Sequence, residues 1–87
     1  MKPLVLPQVN INGTSRDALI EQQVKVLRAF DKLREAMAEA MPHGRDYQSQ
    51  PLDYKRARDA WTERLETVFA MRKEIEQYAQ TISRGGE

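Results

Sequence analysis

Eighty-seven residues carrying 14 basic, 13 acidic and no cysteine side chains make one small domain at most, which excludes a multidomain enzyme. A hydrophobic share of 40%, a charged share of 31% and six aromatic residues leave too little apolar material for a deep closed core, so further copies of the chain are expected to complete it. The formal charge of +1 argues against a dedicated binder of long nucleic acid, which carries a strong basic excess.

The absence of cysteine removes disulfides, thiolate catalysis and cysteine-ligated metals, and agrees with a reducing compartment. One histidine and four methionines supply no metal cluster, so no metal or cofactor is expected. The apolar run Leu4-Val5-Leu6 is too short for a signal-peptide core or a membrane span. The expectation is a soluble, cytoplasmic protein.

Residues 1–13 contain Pro3 and Pro7 and then the alternation Val9-Asn10-Ile11-Asn12-Gly13, which reads as an extended arm. Such an arm is either a free tail or lies on its own or a neighbouring subunit. At Thr14-Ser15-Arg16-Asp17 a hydroxyl residue precedes a carboxylate by three positions, the pattern that satisfies the first free amides of a helix. A helix over 14–41 follows, with Leu19, Gln23, Val26, Phe30, Leu33, Met37 and Ala40 as its apolar stripe and Ile20, Val24 and Leu27 widening it. Pro42-His43-Gly44 stops it.

After a loop at 42–51, a second helix of similar length is expected over 52–83. Tyr54, Ala57, Trp61, Leu65, Val68, Met71, Ile75, Tyr78 and Ile82 follow helical spacing, and Gly85 and Gly86 open a tail at 84–87. The fold class is therefore all-α: a long antiparallel two-helix hairpin with an extended N-terminal arm. Apolar residues on the second helix fall on two adjacent stripes, one through Leu65 and Ala79 and one through Ala57, Met71 and Tyr78, more than one partner helix covers. Assembly as a homo-oligomeric helical bundle is expected, most simply from a pair of hairpins.

The loop holds the densest chemistry. Pro42-His43-Gly44-Arg45-Asp46-Tyr47 places an imidazole, a guanidinium, a carboxylate and a phenol together, and Tyr54, Lys55, Arg56 and Arg58 follow at the start of the second helix. Guanidinium forks match phosphate oxygens, helix amino ends favour anions and tyrosine rings stack on bases. His43, Arg45, Tyr47, Tyr54, Lys55, Arg56 and Arg58 are thus the ligand-binding set for a small anion such as a cyclic nucleotide. The structural alternative has Asp46 pairing with Arg45 or Arg56, His43 capping the first helix and Tyr47 lying as a lid on the hairpin. Arg28, Arg34, Arg64 and Arg72 alternate with acids and read as surface ion pairs. No catalytic residue is assigned: His43 has no buried orienting acid, and the acid pairs Glu35/Glu39 and Glu63/Glu66 lack the further ligands that a magnesium site requires. Phe30, Trp61 and Phe69 read as core or interface.

Asn12-Gly13-Thr14-Ser15-Arg16, followed after one helix by Pro42-His43-Gly44-Arg45-Asp46-Tyr47, resembles a pattern in short uncharacterised proteins carried by phages and prophages of proteobacteria, over roughly residues 9–82. The resemblance implies a small cytosolic phage protein in an infected bacterium and carries no activity with it. In size and architecture the chain is also similar to the anti-CBASS and anti-Thoeris sponges, phage proteins that sequester immune signalling nucleotides. The functional expectation is an anti-defence sponge holding a phosphate-bearing nucleotide between subunits without catalysis. Arg45 and a basic residue of the second helix would hold phosphate, Tyr47 or Tyr54 would stack on a base, and His43 would donate a hydrogen bond. The alternative is an oligomeric adaptor or inhibitor that docks on a host or phage protein through its helix faces and arm.

Overall fold

The computed structural model describes residues 1–9 and 13–85. All regular structure among them is helical: α1 at Arg16–Glu39, a 3-10 turn at Gly44–Tyr47 and α2 at Pro51–Ser83. The helices fold back as an antiparallel hairpin, and the chain measures 64 × 21 × 17 Å. Among the described residues no helix is long and apolar enough to cross a membrane.

Local chemistry sets the ends of α1. Ser15 keeps an extended backbone and its Oγ accepts the Ala18 N–H at 3.2 Å, while Asp17 in the first turn complements the positive end of the helix dipole. The cap is Ser15 rather than Thr14, so the helix begins at Arg16 and not at 14. It stops at Glu39, two residues short of the expected 41, because Pro42 disfavours helical backbone at Met41. Three of the carbonyls left open at this end are satisfied: Ala36 accepts the Ala40 N–H at 3.0 Å, Ala38 the Met41 N–H at 3.3 Å, and Met37 the Trp61 indole N–H from α2 at 2.7 Å.

The connection is more ordered than the expected loop over 42–51. His43 Nδ1 accepts the Arg45 N–H at 3.1 Å and opens the 3-10 turn. Pro51 then starts α2 in its first turn, where a missing N–H costs nothing. With no breaker before Gly85, α2 reaches 33 residues against 24 for α1, so the expectation of two helices of similar length is corrected. Gly85 ends the run at φ 81°, a backbone that L side chains avoid. A Cβ there would lie 3.5 Å from the Arg16 guanidinium, which places the end of α2 beside the start of α1.

The seam between the helices differs from the expected stripe. On α1 the half-buried residues are Ala18, Leu19, Ile20, Gln23, Val24, Leu27, Phe30, Arg34 and Met37, followed by Met41 beyond its end, whereas Val26, Leu33 and the C-cap Ala40 are exposed. The contact line passes through Leu27, Arg34 and Met41, each one residue on from Val26, Leu33 and Ala40, and that step of about 100° turns those three to the flank of the helix. On α2 the half-buried set includes Tyr54, Ala57, Trp61, Leu65, Val68, Met71, Arg72, Ile75 and Tyr78. Among the described residues only Ala79 and Ile82 are buried, both near the open end of the hairpin.

Residues 1–9 form an extended arm over that end. Pro3 and Pro7 favour extended backbone, and Tyr78 Oη donates to the Val5 carbonyl at 3.1 Å. Pro3, Leu4 and Leu6 lie along Glu74, Gln77, Tyr78 and Thr81, so the arm rests on its own chain. The alternation expected at Val9–Gly13 falls largely on residues 10–12, and part of the expected tail on 86–87; both lie outside the described residues.

Ile82→Ala is expected to lower stability by about 2–4 kcal/mol, against about 0.5 kcal/mol or less for Leu52→Ala, whose residue is 71% exposed. Urea unfolding followed by circular dichroism measures both.

Candidate functional site

The hairpin tip gathers part of the sequence-predicted set. The 3-10 turn lays Tyr47 against Tyr54 of α2, with ring centroids 5.9 Å apart and planes inclined by 33°. The Arg58 guanidinium lies 5.9 Å from the Tyr54 ring centre, one helical turn further on. Gly44 is part of this packing, since a Cβ there would sit 3.7 Å from the Tyr54 ring. Tyr54 therefore meets Tyr47, Gly44 and Arg58. Tyr47 is the lid expected under the structural alternative.

The other basic residues are dispersed. Lys55 Nζ pairs with Asp59 at 2.7 Å, and Arg56 reaches Asp53 at 3.8 Å, so the cations near the amino end of α2 are answered by acids of the same helix. Asp46 takes neither Arg45 nor Arg56 as an ion-pair partner among the described residues. His43 does not cap α1; its Nδ1 is engaged with Arg45 N–H, which leaves Nε2 as the donor position on an exposed ring. Arg45 is exposed and forms no ion pair among the described residues. Chemically the tip offers the Arg45 guanidinium, a tyrosine pair and a stacked arginine, and a shallow depression of about 320 Å³ is bordered by Tyr54, Lys55, Arg58, Asp59 and Thr62.

A second constellation, at mid-hairpin, was not singled out as a site from the sequence. Arg72 of α2 forks onto Asp31 of α1, Nε to Oδ1 at 2.8 Å and Nη2 to Oδ2 at 3.3 Å, and its Nη1 donates to Glu76 at 2.8 Å. Arg34 joins Asp31 at 3.9 Å and lays its guanidinium 5.0 Å from the Phe69 ring centre. The hydrogen bond from Arg72, with the charges of Arg72 and Arg34, holds the Asp31 carboxyl below its ordinary 3.8 against partial desolvation. The same Asp31 bond raises Arg72 above its ordinary value, with Glu76 contributing. Of the four arginines expected in surface pairs, Arg34 and Arg72 comply. Arg64 instead donates to the Ala60 carbonyl at 2.9 Å, and Arg28 forms no ion pair among the described residues.

Beside this network runs an open groove of about 820 Å³ between the helices, lined by Asp31, Arg34, Glu35 and Ala38 of α1 and by Thr62, Leu65, Glu66 and Phe69 of α2. Phe69, read as core or interface, is 52% exposed there and is not core in the single chain. The available signal was the spacing Asp31/Arg34 and Arg72/Glu76, which marks charged pairs on helices. Spacing within one helix does not reveal that a single arginine bridges two.

No protein-family model matches the chain, and neither the curated proteins nor the solved structures contain a significant match.

A folded-state pKa below the ordinary one means that Asp31 stabilises the hairpin fully above the ordinary carboxylate range and loses that contribution as pH falls through the folded-state value. Asp31→Asn is therefore expected to lower the melting temperature above the ordinary carboxylate range, and that difference is expected to shrink as pH falls through the lowered folded-state value. Thermal melts across that range test the sign.

Proposed function

We propose that this chain is a non-catalytic, self-assembling helical-hairpin protein that works by protein contact along its helix faces, as an oligomeric adaptor or inhibitor. One observation carries the reading: among the described residues only Ala79 and Ile82 are buried, while Val26, Leu33 and Phe69 stand 38%, 45% and 52% exposed on otherwise well-formed helices. Large apolar side chains left exposed on long helices gain most by meeting another helix. The tip supports the reading from the other direction. Lys55 and Arg56 are already answered by Asp59 and Asp53, and Tyr54 is covered by its neighbours.

A second reading, sequestration of a phosphate-bearing nucleotide at an inter-subunit site, is favoured by the exposed Arg45, which forms no ion pair among the described residues and shares the 3-10 turn with Tyr47 of the Tyr47–Tyr54 pair. In that reading Arg45 and Arg58 hold phosphate, His43 donates through Nε2, and Lys55 and Arg56 exchange their carboxylates for the ligand. The phage setting comes from the resemblance carried by residues 12–16 and 42–47, and the anti-defence role from likeness of size and architecture to the nucleotide sponges.

Native mass spectrometry with a panel of linear and cyclic nucleotides separates the two readings. The expected result is an oligomer that retains no nucleotide and is unchanged by neutralising Arg45 and Arg56. Stoichiometric nucleotide lost on Arg45→Ala would establish the second reading instead, and a monomer would overturn the first.

A further inference from the structure

The exposed α1 residues Gln22, Val26, Ala29, Leu33, Ala36 and Ala40 repeat at spacings of four and three and include no charge. That is a complete heptad seam lying unpartnered. At about 100° per residue it falls on the edge of α1 away from the Phe69 groove. The same edge of α2 carries Ala60, Arg64, Thr67, Met71, Glu74 and Tyr78, again spaced by four and three. Both seams therefore face one side of the hairpin.

Resting on the self-assembly reading above, we infer that this side receives a second copy of the chain about a two-fold axis crossing the helices at the height of residues 31 and 69, with α1 antiparallel to α1 and α2 antiparallel to α2. The two seams are self-complementary under that one operation. About Asp31, Gln22 meets Ala40, Val26 meets Ala36, and Leu33 meets Ala29 of the other copy, so each larger side chain is set against an alanine. About Phe69, Thr67 meets the half-buried Met71 and Arg64 meets the exposed Glu74 at the same intervals from the axis, while Ala60 falls opposite Tyr78, which the arm holds through the Val5 carbonyl. One axis serves both seams because Asp31 and Phe69 stand at one height: the links Met37–Trp61 and Asp31–Arg72 bracket that level.

Charge and area agree with the arrangement. Arg64 and Glu74 form no ion pair among the described residues, and on one helix they are about 15 Å apart; the two-fold brings each to the other twice. The chain exposes 7093 Å², where a compact chain of 10.1 kDa exposes about 5,300 Å². The surplus of about 1,800 Å² per chain matches what each partner gives up in an obligate dimer. A parallel pairing would set Arg64 on Arg64 and Glu74 on Glu74, and would leave alanine facing alanine in half of the α1 layers.

Sedimentation equilibrium of Arg64→Glu, Glu74→Arg and their equimolar mixture tests the pairing, with helicity checked by circular dichroism. Each variant alone is expected to weaken the dimer about tenfold or more, and the mixture to recover it as a heterodimer, because only the mixed pair restores both opposite-charge contacts. Spin labels on Glu21→Cys and, separately, Lys32→Cys give an orientation readout that needs no destabilised variant. Antiparallel packing about Asp31 separates the labels along the axis by about 30 Å at 21 and about 3 Å at 32. A wild-type dimer with unweakened variants, or with equal distances at the two sites, would overturn this face and orientation alone. A wild-type monomer would overturn the self-assembly reading and this inference together.

Discussion

Two helices touch along a line, and a line has no interior. Packing on one side only leaves most contact residues with a flank in water, which is why Phe30, Met37, Trp61 and Leu65 remain half-buried although they occupy the seam. Hydrophobic burial then stabilises the hairpin without fixing its register closely, since a one-turn slip along so narrow a contact changes little area. The register falls to directional interactions. Trp61 to the Met37 carbonyl, Arg72 to Asp31 and Arg34 over Phe69 each join α1 to α2 at one height, and a slip would break all three.

These polar links explain why arginines occupy a seam. Arg34 and Arg72 are half-buried in the contact, and their guanidinium groups are answered by Asp31 and Glu76. At the tip the same principle works locally: a 3-10 turn capped by His43 brings Tyr47 onto Tyr54, and Arg58 closes over the same ring. Such aromatic packing helps to fix the turn. It also accounts for residues that, met in a linear sequence, resemble a ligand site.

Much of the fold was legible in the sequence because helix punctuation is local. Ser15 and Asp17 mark a start, Pro42 a stop, Pro51 a restart and Gly85 an end, and each acts within a turn of itself. Which face of α1 turns inward was not legible. Val26, Leu33 and Ala40 lie on a four-and-three repeat, as do Leu27, Phe30, Arg34, Met37 and Met41, and counting hydrophobic residues favours the stripe with Leu33 over the one holding Arg34. Only the partner helix decides between them, through contacts that no local pattern encodes. The tip shows the same limit. The residue types were evident, but the acids that occupy Lys55 and Arg56, Asp59 and Asp53, compete for them at a distance set by the helix.

The indole of Trp61 gives the hairpin a built-in optical consequence. As the sole tryptophan, half-buried and bonded to a carbonyl at the closing end of α1, it meets water fully only when the two helices part near the tip. Its emission colour therefore follows that one junction rather than the helical content of the chain as a whole. Opening that begins at the free ends, where the arm and Ile82 lie, leaves the colour unchanged until the separation travels most of the hairpin's length.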